Sequence, residues 1–230
     1  GMKKIIVFRK YGRLRFVGHL DMMRAFQRAL RRAEIPLAYS QGFNPHPLMS
    51  FANPLPLGFE GCREIMEISL EKEMSDAEVL QRLAAQLPEG LTILSCRDGQ
   101  NEKGEAMARV KAAQYRILLP EIDERTARWD AFLQQEKILV TKLGKVRGRK
   151  QKVEVDIKPW IYEAALNANG ELRLLCACGS EENLKPDLLV QAFYDFIGQP
   201  ELQFEEQIIR ESILTGTKDS FLPLEMDETL

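Results

Sequence analysis

Lys3–Arg9 is an unbroken β-branched and apolar run, which predicts a strand. Tyr11-Gly12 breaks it. From His19 to Ala33 the apolar residues Leu20, Met23, Phe26, Leu30 and Ala33 recur at the three-and-four spacing of one helix face. Asp21 suits the positive end of that helix, and Pro36 stops it, because the residue before a proline disfavours helical dihedrals. Ser40–Gly61 is rich in proline and glycine and reads as a loop. Glu64–Leu70 alternates as a strand, Ser75 caps a helix through Leu87 with Glu78 completing a capping box, and Leu91–Cys96 is a further strand.

With a short strand at Pro36–Ser40, this order is β-α-β-β-α-β, the ferredoxin-like split βαβ unit. The order then recurs. Gln114–Leu119 reads as a strand, Asp123–Gln135 as a helix and Ile138–Leu143 as a strand. Leu172–Cys178 follows as a strand, Pro186–Ile197 as a helix opening on its proline, and Gln207–Leu214 as a strand. The fold class is therefore α+β: two tandem ferredoxin-like units, the second carrying a basic insertion between Lys142 and Leu172. The expected division is a first domain over residues 2–97, a linker over 98–112, a second domain over 113–216 and an acidic tail over 217–230 that frays.

Charge sharpens this picture. The formal net charge is only −2, yet residues 1–50 hold ten Lys or Arg against Asp21 and Glu34. Residues 142–152 add six cations and no acid, whereas residues 201–230 carry eight acids against Arg210 and Lys218. Such local asymmetry points to an anionic partner at the basic end. The cysteines Cys62, Cys96, Cys176 and Cys178 are irregularly spaced, so free thiols and a cytoplasmic setting are expected. No apolar run approaches the ~20 residues of a membrane helix, and no secretory leader is visible. The chain lacks a P-loop, a GxGxxG fingerprint and an iron–sulfur cysteine triplet, so no cofactor is expected.

The candidate chemistry gathers near the N-terminus. Arg24, Arg28, Arg31 and Arg32 stand at helical steps and form one guanidinium stripe suited to phosphate oxygens, with Arg13 and Arg15 just before it. Phe16, Tyr39 and Phe43 offer stacking faces for bases, and Asp21, Ser40 and Asn44 offer hydrogen bonds. Lys145, Arg147 and Arg149 of the insertion extend the expected RNA-binding set. Both histidines, His19 and His46, fall in this segment and are the candidate acid–base pair. Two imidazoles alone make an incomplete metal site, so no metal is expected. A solvated arginine face and loop-ordering histidines remain the plain alternative.

The runs Arg13-Leu14-Arg15-Phe16, Gly18-His19-Leu20-Asp21, Arg24, Arg28-Ala29 and Arg32-Ala33 resemble the start of the radical-SAM-linked protein family. So do Ile35–Pro47 and Pro54–Gly58, and Val155–Pro159 resembles its second half, with Lys158 where that family has arginine. This bacterial domain of unknown function stands alone or is fused behind a radical S-adenosylmethionine (SAM) enzyme. The resemblance implies partnership with such an enzyme in RNA modification and brings no catalytic residues. More loosely, the duplicated layout with an N-terminal histidine is similar to CRISPR-type RNA-processing endoribonucleases. The leading expectation is an accessory, non-catalytic RNA-binding partner of a radical SAM enzyme acting on transfer or ribosomal RNA. The alternatives are a histidine-dependent endoribonuclease or small-molecule transferase, and a protein–protein scaffold anchored by Trp129, Trp160 or the acidic tail.

Overall fold

A computed structural model describes residues 2–100, 106–120, 126–202 and 206–230, apart from the side chains at 126 and 127. The fold is mixed α+β, sheet-rich with few helices, and its residues divide into two compact units: 1–112 together with 209–230, and 113–208. No described helix is long and apolar enough to cross a membrane.

The first unit opens with β1 (Lys3–Lys10), then α1 (His19–Arg32), β2 (Met49–Phe51), β3 (Glu60–Ser69), α2 (Asp76–Ala84), β4 (Leu91–Asp98) and the short α3 (Ala106–Arg109). β1 lies between β3 and β4, antiparallel to both, and β2 pairs antiparallel with the far side of β3. Ile6 and Phe8 of β1 and Met66 and Ile68 of β3 meet Met22, Phe26, Ala29 and Leu30 of α1 in one core. The α1 face is rotated from the expected one. Met22 replaces Met23 as the fully buried residue, and Leu20 is left exposed. Helix α1 ends through Glu34, whose φ of 55° lets Ile35 N–H reach Leu30 O at 3.1 Å, the closing bond of a Schellman turn. Ser75 Oγ accepts from Glu78 N–H at 3.1 Å to start α2, while the Glu78 carboxylate turns to Arg82 instead of completing the box.

Pro36–Ser40 is not the expected strand. Only single bridges form there, Leu37 to Leu70 and Tyr39 to Pro47, because Pro36 and Pro47 lack the N–H groups that would extend a ladder. Met49–Phe51 takes that place beside β3.

The second unit begins with β5 (Ala112–Leu118), α4 (Thr126–Leu133), β6 (Leu139–Val146) and β7 (Arg149–Asp156). It continues with β8 (Ile161–Leu166), β9 (Glu171–Ala177) and α5 (Pro186–Phe196). Of the helix expected over Asp123–Gln135, residues 123–125 lie outside the described residues. Strand order is β5-β9-β8. Trp129 of α4 is buried, its ring edge-on to Phe193 of α5 at 4.8 Å and tilted against Phe132 at 5.3 Å. It is core, not a surface anchor. The strand expected at Ile138–Leu143 exists, but it pairs only with β7 in a separate two-stranded hairpin. The sheet strand beside β9 is β8, which sequence pattern alone leaves inside the insertion.

The chain then returns to the first unit. β10 (Gln207–Thr217) runs parallel to β3, with Ile209 opposite Glu60 and Arg210 opposite Gly61, and β11 (Ser220–Pro223) folds back on β10. The stretch after Gly216 does not fray. Arg97 donates to Leu230 O at 2.9 Å and Asp227 O at 3.0 Å, Arg109 pairs with Asp227 at 2.9 Å, and Leu224 and Leu230 are buried. Hydrogen bonds from Thr229, aided by Arg109, hold the Asp227 carboxyl below the usual carboxylate range.

Candidate functional site

Positions Ile6, Phe8 and Lys10 of β1 share one face, so a buried ammonium follows two apolar side chains there. Between Phe8 and Lys10 the pairing with β3 slips, leaving Phe8 opposite Glu64 and Lys10 opposite Gly61. Gly61 has a steric reason. A Cβ there would stand 2.5 Å from Glu64 Cγ, so only glycine lets the Glu64 side chain fold across this position.

Glu64, 3% exposed, takes a two-pronged contact from Arg210, which is 1% exposed. Nε donates to Oε2 at 3.0 Å and Nη2 to Oε1 at 2.5 Å. The same guanidinium donates to Asn53 Oδ1 at 3.0 Å and to Asn53 O. Lys10, 2% exposed, donates to Val17 O at 2.8 Å and makes no ion pair among the described residues. Burial pushes its ammonium below the usual lysine range, with the Glu64 charge opposing that shift.

A cavity of about 20 Å³ opens here, lined by Phe8, Met22, Phe51 and Leu55 on its apolar walls and by Lys10, His19, Asn53 and Glu64 on its polar ones. His19 is the first residue of α1; its exposed ring stands edge-on to Phe51 at 5.6 Å. Of the residues singled out from sequence, only His19 lines this cavity. Sequence reasoning misses Lys10, Asn53, Glu64 and Arg210. Their signal is present as charges at inward positions of apolar strands: Lys10 after Ile6 and Phe8, and Arg210 after Ile208-Ile209.

His46 sits elsewhere in the loop after α1. Its Nδ1 is 3.0 Å from Ser40 Oγ, its N–H donates to that oxygen at 3.1 Å, and Ser40 N–H donates to His46 O at 2.9 Å. These bonds close the 40–46 loop and hold Phe43 fully exposed at its tip, with Asn44 exposed beside it. Tyr39 is also exposed.

The arginines of α1 are all exposed. Arg24 meets Asp21 loosely at 3.5 Å, and Arg32 donates to Gln86 O at 2.9 Å. Arg28 and Arg31 have no hydrogen-bond or ion-pair partner among the described residues. Arg13 is exposed, and Arg15 donates to Gly12 O and stacks over Phe16 at 4.4 Å. Phe16, Leu20 and Leu57 remain 62–67% exposed, and Gly58 N–H donates to Arg15 O at 2.6 Å to join their loops.

In the second unit, the β6–β7 hairpin turns through Arg147 (φ 51°) and Gly148 (φ 78°), a two-residue turn of the primed kind. Lys145 stands directly opposite Lys150, and Lys152 opposite Leu143 on the same face. Like charges across a ladder are destabilising unless an anion bridges them. Arg147 and Arg149 are exposed at the tip, and Lys142 lies over the Trp160 ring at 5.4 Å. At the hairpin base, Asp156 Oδ1 accepts from Ile138 N–H at 2.9 Å and Lys158 N–H at 3.1 Å. The Lys158 ammonium reaches a single acceptor, Gln135 O, a point contact in place of an arginine fork.

Among the described residues no cluster of three His, Cys, Asp or Glu is placed to hold a metal. A family model described as an uncharacterized protein conserved in bacteria (DUF2344) matches residues 3–186. No curated protein matches the sequence.

Proposed function

The chain belongs to that bacterial family, and on this premise we propose a non-redox accessory protein that holds transfer or ribosomal RNA for a separate radical SAM enzyme. The observation that carries the reading is the exposed arginine row of α1. The buried Arg210 is fully engaged, whereas Arg28 and Arg31 are exposed and have no ion-pair partner among the described residues. Uncovered Phe16 and Phe43, near this row in sequence, present faces on which unpaired bases stack. In the second unit, the like-charged Lys145–Lys150 pair, with Arg147 and Arg149 beyond it, supplies further phosphate contacts. Arg13, Arg15, Asp21, Arg24, Arg32, Tyr39, Ser40 and Asn44 complete the proposed surface.

The radical enzyme enters through the resemblance of residues 13–58, and the bacterial cytoplasm is the matching compartment. The same reading takes the fold as two split βαβ units. In the first unit the order β4-β1-β3-β2, with α1 and α2 as crossovers, supports it. In the second, β8 pairing with β9 ahead of α5 supports it, once the β6–β7 hairpin is counted as the insertion. The acid–base alternative draws no comparable support, since His19 borders a cavity and His46 closes a loop.

Filter binding of total transfer RNA between 50 and 200 mM salt tests the proposal. With several phosphates neutralised, affinity falls by orders of magnitude across roughly this range. Arg28→Ala/Arg31→Ala lowers the salt slope by about two, one for each phosphate that the variant no longer neutralises. Absence of RNA affinity at 50 mM salt ends the idea. Partnership is read separately: after nuclease treatment, the tagged protein retains the radical SAM enzyme from a bacterial lysate, and failure to do so removes that half.

A further inference from the structure

We propose that the cavity between β1, α1 and the loop before β3 binds the carboxylate head of a small organic acid. This inference is independent of the RNA reading. It rests on which hydrogen-bonding groups around the cavity are already used.

The acceptors already serve Arg210. Both Glu64 oxygens receive bonds from Arg210, and Asn53 gives Oδ1 and its carbonyl oxygen to the same guanidinium. What remains toward the space is donor capacity. The Lys10 ammonium carries three protons and spends one on Val17 O. With Asn53 Oδ1 held by Arg210, the Asn53 amide has its NH2 group left over, and no described acceptor takes it. His19 at the rim offers a ring N–H in either tautomer. A cavity with unused donors on its polar walls, and with its oxygens already bonded to a guanidinium, favours a ligand that accepts.

Charge gives the same answer. Lys10 and Arg210 against Glu64 leave one net positive charge in surroundings walled by Phe8, Met22, Phe51 and Leu55. Holding an ammonium out of water is costly unless a counter-charge is near, and the one Glu64 charge is shared between Lys10 and Arg210. A monoanion completes the balance. The space, about 20 Å³, is on the scale of one or two water molecules, so only the head group of an acid enters it.

The experiment uses the full chain with sodium propionate, sodium benzoate, inorganic phosphate and chloride at matched ionic strength and pH 7. Calorimetric titration and thermal unfolding are read on wild type, Lys10→Met and His19→Ala. Propionate or benzoate is expected to bind and raise the melting temperature of wild type, with phosphate and chloride inert. Lys10→Met, which replaces the ammonium by an apolar chain of similar length, weakens the carboxylate at least tenfold. His19→Ala, at an exposed position, weakens it several-fold without loss of fold, so the proposal stays testable should Lys10→Met fail to fold. No carboxylate binding to wild type, binding unchanged in both variants, or a preference for phosphate each overturns the proposal.

Discussion

Replacing Arg210 by methionine tests the organisation of the first unit. The guanidinium makes two bonds to Glu64 and two to Asn53 while 1% exposed. Its removal leaves the Glu64 carboxylate, 3% exposed, with no cation bonded to it. Breaking a buried pair from one side costs about 3–5 kcal/mol, because the orphaned charge is left without water or partner. For a chain of this size, each kcal/mol lowers the melting temperature by roughly 2–4 °C. Arg210→Met is therefore expected to melt roughly 6–20 °C below wild type. The companion variant Glu64→Leu/Arg210→Met removes both charges. Apolar replacement of a whole buried pair is often neutral or better. What persists in that variant is the absence of the Asn53 hydrogen bonds, a cost of about 1–3 kcal/mol. The double variant should thus be more stable than the single one, which is the reverse of additive damage. Urea and thermal unfolding of wild type, both single variants and the double give the coupling directly. An Arg210→Met protein within about 1 kcal/mol of wild type would refute the reasoning, and so would a double variant as unstable as the two singles summed.

Gly61→Ala should destabilise the protein by about 1–3 kcal/mol in thermal denaturation, because its methyl group lands 2.5 Å from Glu64 Cγ and levers the carboxylate off Arg210. Lys145→Glu should separate stability from binding. It gives the β6–β7 ladder an opposite-charge pair worth ~0.2–1 kcal/mol, read as slower hydrogen exchange in the hairpin, while RNA retention weakens several-fold. Burial, helped by the Asp76 charge and opposed by Lys4, pushes the Cys96 thiol up to about 12. Iodoacetamide at pH 8 should label it slowly in the native protein and fully in urea. Because the folded thiol keeps its proton while the unfolded one releases it, this group's contribution to stability falls as pH rises between about 9 and about 12.

Helices and most strands are legible because their periodicity is local. Lys3–Arg9, Glu64–Leu70, Pro186–Ile197 and Gln207–Leu214 all fall on observed elements to within a few residues. Where pairing partners have to be assigned, local pattern carries no information. Leu139–Val146 is as good a strand beside β7 as beside β9, and only the order of the finished sheet distinguishes them. The arginine row is legible because helical spacing alone puts guanidiniums on one side. The cavity is not, since Lys10, Asn53, Glu64 and Arg210 span 200 residues of sequence, and only the β3 bulge opposite Phe8 and Lys10 and the side-by-side register of Arg210 with Gly61 bring them together. Surplus cations draw the eye to the surface, whereas the buried charges are few and scattered along the sequence. Leu20 fails for a simpler reason: a helix face judged from spacing alone can be turned by one residue, and Met22 takes the buried position.

The parallel seat of β10 beside β3 has a consequence for biosynthesis. Glu64 leaves the ribosome 146 residues before the arginine that neutralises it. Throughout that interval the nascent first unit holds an unmatched acid at what will become a dry seam. The intervening stretch, 113–208, can meanwhile collapse on its own aromatic cluster around Trp129 and Phe193. Maturation should therefore run out of sequence order, the middle of the polypeptide settling first and its opening segment locking last, when residues 209–230 emerge.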